Sequence, residues 1–253
     1  MIKYLVLVQA RMGSSRLPGK VMKLISGKPD IQWVLERVSQ SKYIDDVMLV
    51  TSVNKNNIPL IHFVSGLGYR VFIGSEEDVL DRYYQAARLV NPEYVIRITA
   101  DCPLFDWRYL DMAIEQIKPE TDYLGEFTES FPDGLDIEII KYGILEEIWK
   151  KSEMLSEREH VTQYVRKHPN IYKVQNLECP ISGIGDLRLT LDEEEDFELI
   201  CKIYEYFISL GKKYFVTEDI LGFIQNNPGL KELNCMYKRN EGLLKSLKND
   251  RVV

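Results

Sequence analysis

The sequence is poor in the residues that build covalent or metal-linked frameworks. Of its 253 residues, three are histidine and four are cysteine. The cysteines form no Cys-x-x-Cys pair, so reduced thiols are expected rather than disulfides or a zinc site. The apolar run near the N-terminus is far shorter than a membrane span, and no signal-peptide cleavage pattern follows it. These absences predict a cytoplasmic protein with no membrane partner.

An excess of positive charge is also missing. The chain has 32 basic and 39 acidic side chains and a net charge of −7. Bulk charge therefore gives no reason to expect a nucleic-acid partner. The 45% of hydrophobic residues suffices for one large α/β domain or two small ones. No repeat, low-complexity segment or linker is apparent.

The first hundred residues alternate between strand and helix candidates. Strands are predicted from short apolar runs at Tyr4–Val8, Val47–Thr51, Tyr69–Ile73 and Tyr94–Ile98. Helices are predicted at Ile31–Val38, at Ile58–Leu67 and from a capping box at Ser75 and Asp78 to about Leu89. Such alternation indicates parallel strands joined by right-handed crossovers. Ligands of such sheets bind at the carboxyl ends of the strands.

The second half is less regular. Strands are predicted at Asp136–Ile140, Ile171–Val174 and Leu187–Leu191, and helices at Glu157–His168, Phe197–Leu210 and Thr217–Gln225. The tail from Lys238 to Val253 is basic, and a solvated helix or frayed end is expected there.

The first candidate loop, Gln9–Lys20, follows a predicted buried strand. It contains three cations, Arg11, Arg16 and Lys20, together with two glycines and two serines. Glycines let backbone amides approach a phosphate, and cations donate charge-assisted hydrogen bonds to its oxygens. Val21 follows Gly19-Lys20, so the loop is not a Walker A motif. By composition alone, a triphosphate site and a basic surface loop both remain open.

Two aspartates also follow predicted strands. Asp101 lies just past Tyr94–Ile98, where a carboxylate facing a phosphate loop suggests a hard cation between them; a turn cap is the alternative. Asp192 ends the run Leu187–Leu191 and precedes acids that suit the first turn of a helix.

Beyond these local patterns, the segment Gln9–Lys20 resembles the signature loop of the SpsF-type cytidylyltransferases. They form the spore-coat-polysaccharide branch of the family that contains the CMP-sugar synthetases for sialic acid and Kdo. The likeness continues in order through Gly27–Pro29, Glu77–Tyr83, Arg97–Leu104, Gly134–Glu138, Arg158–Thr162 and Leu189–Phe197. One departure is visible, because Asp30 stands where relatives usually have an apolar residue.

The resemblance implies a Rossmann-like nucleotidyltransferase fold of the glycosyltransferase-A type, a three-layer α/β sandwich with a mixed, mainly parallel sheet. It implies one domain over residues 1–235, with a nucleotide-binding half to about residue 120, an acceptor-binding half after it, and a tail at 236–253. The implied reaction transfers CMP from CTP to a small acceptor such as a sugar or sugar acid, with release of pyrophosphate. Relatives are often dimers, which leaves a homodimer open.

The resemblance also implies roles for individual residues. The nucleotide-binding set is Gln9, Ala10, Arg11, Gly13, Ser14, Arg16, Lys20, Asp81, Arg82 and Thr99, and the catalytic set is Arg11, Lys20 and Asp101. Asp101 and Asp192 would hold Mg²⁺. The acceptor-binding set is Asp136, Glu138, Arg158 and His160, although a structural role is equally open for His160 and Asp136 can also face solvent.

Two other functions remain open at this point. A glycosyltransferase that uses a nucleotide-sugar on the same fold would usually carry a DxD pair, whereas Thr99–Pro103 holds one acid. A non-catalytic nucleotide-binding protein is the second alternative, and the joint presence of Arg11, Lys20, Asp101 and Asp192 argues against it. The residues themselves identify neither the acceptor nor the base.

Overall fold

A seven-stranded sheet organises the chain, which a computed structural model describes from residue 2 to residue 253. The strand order is β5-β4-β1-β6-β8-β7-β9. The strands are β1 Tyr4–Gln9, β4 Asp46–Ser52, β5 Arg70–Gly74, β6 Tyr94–Thr99, β7 Tyr123–Gly125, β8 Glu138–Lys141 and β9 Val174–Asn176, with a small separate hairpin of β2 Leu24–Ile25 and β3 Lys28–Pro29. Only β8 runs opposite to its neighbours in the large sheet. The sheet is therefore mixed and mainly parallel, as predicted.

Helices cover both faces of this sheet. They are α1 Asp30–Val38, α2 Ile58–Gly66, α3 Val79–Val90, α4 Trp107–Gln116, α5 Tyr142–Lys151, α6 Leu155–Glu159, α7 Gln163–Lys167, α8 Glu194–Ser209, α9 Thr217–Asn226, α10 Gly229–Glu232 and α11 Glu241–Lys248. Alternate residues of β1 enter two separate cores. Val6 and Val8 pack with the buried faces of α1, α2, α4 and α8, whereas Leu5 and Leu7 pack with α3 and α5. This arrangement is the predicted three-layer sandwich.

The predicted strands and helices of the first hundred residues are confirmed to within two residues at each end, except at the start of α3. Its N-cap is Asp78, whose carboxylate accepts from the Asp81 amide at 2.8 Å. The Ser75 hydroxyl instead accepts from the Asp78 amide at 3.0 Å, one turn before the helix. Ser75 therefore shapes the turn that leads into the helix, while Asp78 caps it.

Three predictions for the second half are wrong in detail. The strand predicted over Ile171–Val174 begins three residues later, as β9 Val174–Asn176. The helix predicted over Glu157–His168 is broken into α6 and α7, because His160 leaves the helical conformation. The segment Leu187–Leu191 is not a strand of the sheet. It makes a single bridge, between Asp133 and Arg188, and further backbone hydrogen bonds bring it to the ends of other strands.

The basic tail lies against the rest of the protein. The Leu155 amide donates to the Arg251 carbonyl at 2.8 Å, and the Val253 amide to the Glu153 carbonyl at 2.9 Å. Between residues 2 and 253, no helix is long and apolar enough to cross a bilayer.

Candidate active site

The first candidate loop leaves the carboxyl end of β1 and folds back on itself. Leu17 is buried and anchors the loop. The Met12 carbonyl accepts from the amides of Ser14 at 3.0 Å and Gly19 at 3.2 Å. Gly19 has a φ of +68°, a left-handed conformation that glycine adopts at low cost. The closed turn places the Lys20 side chain at the edge of the sheet.

Several donors of this loop are left for a ligand. Within residues 2–253, the amides of Gly13, Ser15 and Arg16 donate to no protein acceptor. A Cβ added at Gly13 would meet open space. Unpaired amides beside a cationic loop form an anion-binding surface.

A cavity of about 780 Å³ opens over this loop. This nucleotide-side cavity has the size of a small-molecule site. It is lined by eight of the ten residues predicted to bind nucleotide, namely Gln9, Ala10, Arg11, Gly13, Ser14, Arg16, Lys20 and Thr99, and by Asp101 and Asp192.

Asp101 and Asp192 meet although they are far apart in the chain. Asp101 follows β6 in a turn, and its backbone carbonyl accepts from the Leu191 amide at 2.8 Å and from the Thr190 hydroxyl at 3.1 Å. Asp192 comes directly after Leu191. One backbone hydrogen bond thus brings the second carboxylate to the carboxyl end of β6.

Lys20 bridges the two carboxylates. Its ammonium lies 3.0 Å from Oδ2 of Asp101 and 2.7 Å from Oδ1 of Asp192. Burial opposes the charge on Lys20, but the two aspartates raise its pKa above the ordinary value. Burial alone would raise the pKa of Asp101, whereas Lys20 and a hydrogen bond from Thr99 lower it to about 2. Both members of the pair are therefore charged at neutral pH.

The donor set fits a magnesium ion shared with a substrate. Across residues 2–253, no group of three or more His, Cys, Asp or Glu side chains is arranged to hold a metal by itself. Magnesium, however, is usually bound through one or two carboxylates, water and substrate phosphates. Asp101 and Asp192 supply two carboxylates, and a lysine ammonium already occupies the space between them as a stand-in cation.

A second cavity of about 380 Å³ adjoins the first. The boundary between them is formed by residues that line both, which are Arg16, Thr99, Asp101, Asp192, Glu241 and Gly242. The predicted acceptor residues Asp136, Glu138 and His160 line this acceptor-side cavity. Asp101 and Asp192 therefore stand between two compartments.

Paired charges build the walls of the acceptor-side cavity. Glu138 pairs with Arg97 at 2.5 Å and accepts from Tyr123 and Thr162. Burial opposes the charge on Glu138, but Arg97 and Arg166 lower its pKa to about 2. This carboxylate is fully engaged within the protein.

Asp133 in the same wall behaves differently. It lies 2.9 Å from Arg188, which also pairs with the buried Asp196. Burial and the neighbouring Asp136 raise the pKa of Asp133 to about 7, against the opposing charges of Arg188 and Arg239. A carboxyl group that titrates near neutrality is suited to proton transfer.

His160 lies at the edge of the acceptor-side cavity. Its Nε2 is 3.0 Å from the Ser246 hydroxyl. Burial and the charge of Arg97 lower its pKa. The imidazole is neutral at pH 7 and linked to the tail, which accords with the structural alternative.

Three predicted site residues, Asp81, Arg82 and Arg158, lie away from the two cavities and contact other parts of the protein. Asp81 accepts from the Trp149 indole at 2.9 Å. Arg82 is buried in α3 and donates to the Ser75 carbonyl at 2.7 Å. Arg158 pairs with Asp78 and donates to the Trp149 carbonyl at 2.7 Å. Asp81 and Arg158 fasten α3 to α5 and α6, whereas Arg82 fastens α3 to the turn before it. None of the three lines either cavity.

Other residues of the site were not predicted from the sequence. Arg97 and Arg188 each stand in an apolar run, where an arginine is typical of a buried ion pair. Glu126, Arg166 and Arg239 carry no such local signal. They line the acceptor-side cavity because the tertiary fold brings three distant parts of the chain together there.

A mixed α/β sheet that presents a cationic, glycine-bearing loop opposite two carboxylates defines the nucleotidyltransferase class. The sequence model of one family, described as Cytidylyltransferase, matches residues 5–238. The chain belongs to this cytidylyltransferase family.

Similar proteins and a similar solved structure support membership of this family. The spore coat polysaccharide biosynthesis protein SpsF of Bacillus subtilis is 36% identical over 232 residues, which are 88% of this chain and 95% of that protein. A 3-deoxy-manno-octulosonate cytidylyltransferase of Hydrogenovibrio crunogenus is 35% identical over 134 residues, about half of each chain (51% and 52%). A solved cytidylyltransferase from Leptospira borgpetersenii superposes with a TM-score of 0.85 at 31% identity, covering 91% of this chain and 97% of that one. The resemblance stated from the sequence is confirmed.

Proposed function

We propose that the chain transfers CMP from CTP to a hydroxylated sugar, sugar acid or related phosphorylated metabolite and releases pyrophosphate. The observation that carries the proposal is the pair of adjoining cavities with Asp101 and Asp192 at their boundary. A cationic loop suited to a triphosphate lies on one side, and a compartment for a second substrate lies on the other.

The reaction needs positioning and charge neutralisation more than covalent help from the protein. An acceptor oxygen attacks the α-phosphorus in line, and the bond from this phosphorus to the pyrophosphate oxygen breaks. Lys20 and Arg11 neutralise the charge that develops on the α-phosphate and on pyrophosphate. Asp133, with a pKa of about 7, lies on the acceptor side and is suited to receive the acceptor proton.

Asp101 and Asp192 would hold Mg²⁺ together with the phosphates. The ion, when bound, supplies Lewis-acid polarisation of the α-phosphate. Lys20 already contacts both carboxylates, so its ammonium has only a short distance to travel to a phosphate bound beside them.

The relatives support a role in polysaccharide or glycan synthesis, because SpsF carries spore coat polysaccharide biosynthesis in its name. The choice of CTP as donor follows from the family. A sugar acid is one acceptor class to test first, because the partial relative from Hydrogenovibrio acts on 3-deoxy-manno-octulosonate according to its name.

The test is pyrophosphate release with Mg²⁺ from each of CTP, UTP, GTP and ATP, against a pooled library of sugars, sugar phosphates and sugar acids. Release that depends on CTP and on one acceptor class is the expected result. Release of a nucleoside diphosphate from a nucleotide-sugar would instead indicate a glycosyltransferase. Binding of CTP without turnover of any acceptor in the library would favour a non-catalytic role.

A further inference from the structure

The C-terminal strap, defined as residues 239–253, contributes residues to the lining of both cavities. It lies beyond the part of the chain that the family model matches. At its start, Arg239 donates to the Phe131 carbonyl at 2.7 Å and to Glu126 at 2.6 Å. Near its end, the Asp250 carboxylate accepts from the amide and hydroxyl of Ser156 at 2.9 and 2.6 Å. The strap is therefore held on both sides of the site.

Helix α11, in the middle of the strap, presents its polar face to the nucleotide-side cavity. The strap residues that line this cavity are Glu241, Gly242, Lys245, Ser246 and Asn249. Their spacing of one, four, five and eight residues corresponds to one face of a helix. Leu244 and Leu247 do not line this cavity and are 58% and 37% exposed, and Glu241, Lys245 and Asn249 are exposed as well.

In α11 the polar face is turned toward the cavity, which is the reverse of the usual orientation of an amphipathic helix. An amphipathic helix on a globular protein ordinarily buries its apolar stripe. Turning polar side chains inward over a cavity is favourable when the cavity holds a polar ligand that they contact.

Lys245 is the cation on this face of α11 and can bind an anion in the cavity. Arg16 already pairs with Asp192 at 2.8 Å, and Lys20 pairs with both aspartates. In the part of the chain that the structure describes, no carboxylate lies within 4.0 Å of the Lys245 or Arg11 side chain. These two cations are thus available to an incoming anion without first breaking an ion pair.

We propose that Lys245 is a phosphate-binding residue of the nucleotide site, presented by α11 to the cavity that the loop Gln9–Lys20 also lines. This inference rests on the proposed function, because it takes the polyphosphate of a nucleoside triphosphate as the ligand. The nucleotide then lies between the family's loop and a strap that the family model does not include.

The experiment is titration calorimetry of Mg²⁺–CTP with the full chain and with two variants, Lys245→Gln and Lys248→Gln. Lys248 is the matched control, since it lies on the same helix, is exposed and lines neither cavity. We expect Lys245→Gln to weaken CTP binding about tenfold, the size of one charge-assisted hydrogen bond. Lys248→Gln should change it less than about twofold.

Salt dependence separates a phosphate contact from a change in the helix. CTP affinity of the unaltered chain should fall more steeply between about 50 and about 300 mM KCl than that of Lys245→Gln, because the variant has lost a screened charge interaction. Unchanged binding by Lys245→Gln overturns the proposal, and so does equal weakening by both variants. If the unaltered chain binds no nucleoside triphosphate at all, the proposed function itself has failed, and this result appears before any variant is compared.

Discussion

The ammonium of Lys20 lies 2.7 Å from Oδ1 of Asp192, and the same ammonium is 3.0 Å from Asp101. A cation of the protein thus holds together the two carboxylates to which the proposed reaction assigns magnesium. A magnesium ion bound there would compete with the lysine for the same oxygens, and this competition is measurable without turnover.

Removing the lysine should make the protein more responsive to magnesium. In Lys20→Ala, Asp101 and Asp192 face each other without a counter-charge, so the variant should lose about 2 kcal/mol of stability in metal-free buffer. Mg²⁺ should then raise its melting temperature more than that of the unaltered chain, because binding no longer displaces an ammonium. Lys23→Ala is the control, since Lys23 pairs with the exposed Glu194 and lines neither cavity. Equal magnesium shifts in all three proteins would contradict the competition.

Turnover should depend strongly on the same charges. Lys20→Ala and Asp101→Asn should each reduce the rate of pyrophosphate release by about two orders of magnitude or more, as expected for loss of an electrostatic stabiliser. Circular dichroism must show that each variant is folded, and Lys23→Ala should retain the original rate. Near-normal activity in either folded variant would remove these residues from the mechanism.

Asp30 should be a site where a substitution stabilises the protein. Its carboxyl is fully buried, and neither oxygen has a hydrogen-bond partner among residues 2–253. Burial raises its pKa well above the ordinary 3.8. Asp30→Leu, which replaces the buried carboxyl with an apolar side chain, should therefore increase the free energy of unfolding at neutral pH by about 1–3 kcal/mol.

The pH dependence of the Asp30 effect has a definite sign. A carboxyl whose pKa is raised in the folded state contributes its stability fully below the unfolded pKa of about 4 and loses it as pH rises toward the folded value. The advantage of Asp30→Leu in urea unfolding should thus be larger at about pH 8 than at about pH 5. Asp30→Asn separates the loss of charge from the loss of polarity. A lower stability of Asp30→Leu at both pH values would show that the carboxyl has a stabilising partner.

Gly134 should tolerate no side chain. Its φ is +100°, and a Cβ there would stand 2.6 Å from the Thr190 amide nitrogen. Gly134→Ala should cost at least about 1–3 kcal/mol and also weaken magnesium-dependent activity, because Thr190 belongs to the segment that carries Asp192 beside Asp101. Gly143→Ala is the matched control, since a Cβ there meets no atom within 4 Å. Thermal melts and pyrophosphate release measure the two effects, and equal behaviour of both variants would contradict the close approach.

Much of the fold was predictable because buried parallel strands are continuous apolar runs. The pattern is weaker where the chain leaves the sheet. The run Leu187–Leu191 has the apolar pattern of a strand because its leucines are buried. In the structure it makes only one bridge. Helix α4 was missed although Tyr109, Leu110, Ala113 and Ile114 have helical spacing.

The part of the site that could be predicted from the sequence is the part whose residues lie in short, continuous segments. The loop Gln9–Lys20 carries its phosphate chemistry in consecutive residues, and Asp101 and Asp192 each follow an apolar run. The position of Arg239 depends instead on where the tail returns, which no periodic pattern encodes. Asp81 and Arg82 lie in a motif of the family, but their side chains are used to pack α3.

The reversed direction of β8 also has an evolutionary consequence. Since β8 runs against β6, the segment that precedes it, residues 126–137, arrives at the same edge as Asp101, with Arg97 and Glu138 in register. Part of the wall of the acceptor-side cavity is thus encoded in a stretch of chain separate from the loop Gln9–Lys20. Insertions or exchanges within residues 126–137 can change the second substrate while the donor half is inherited intact, so one scaffold can diversify in what it activates.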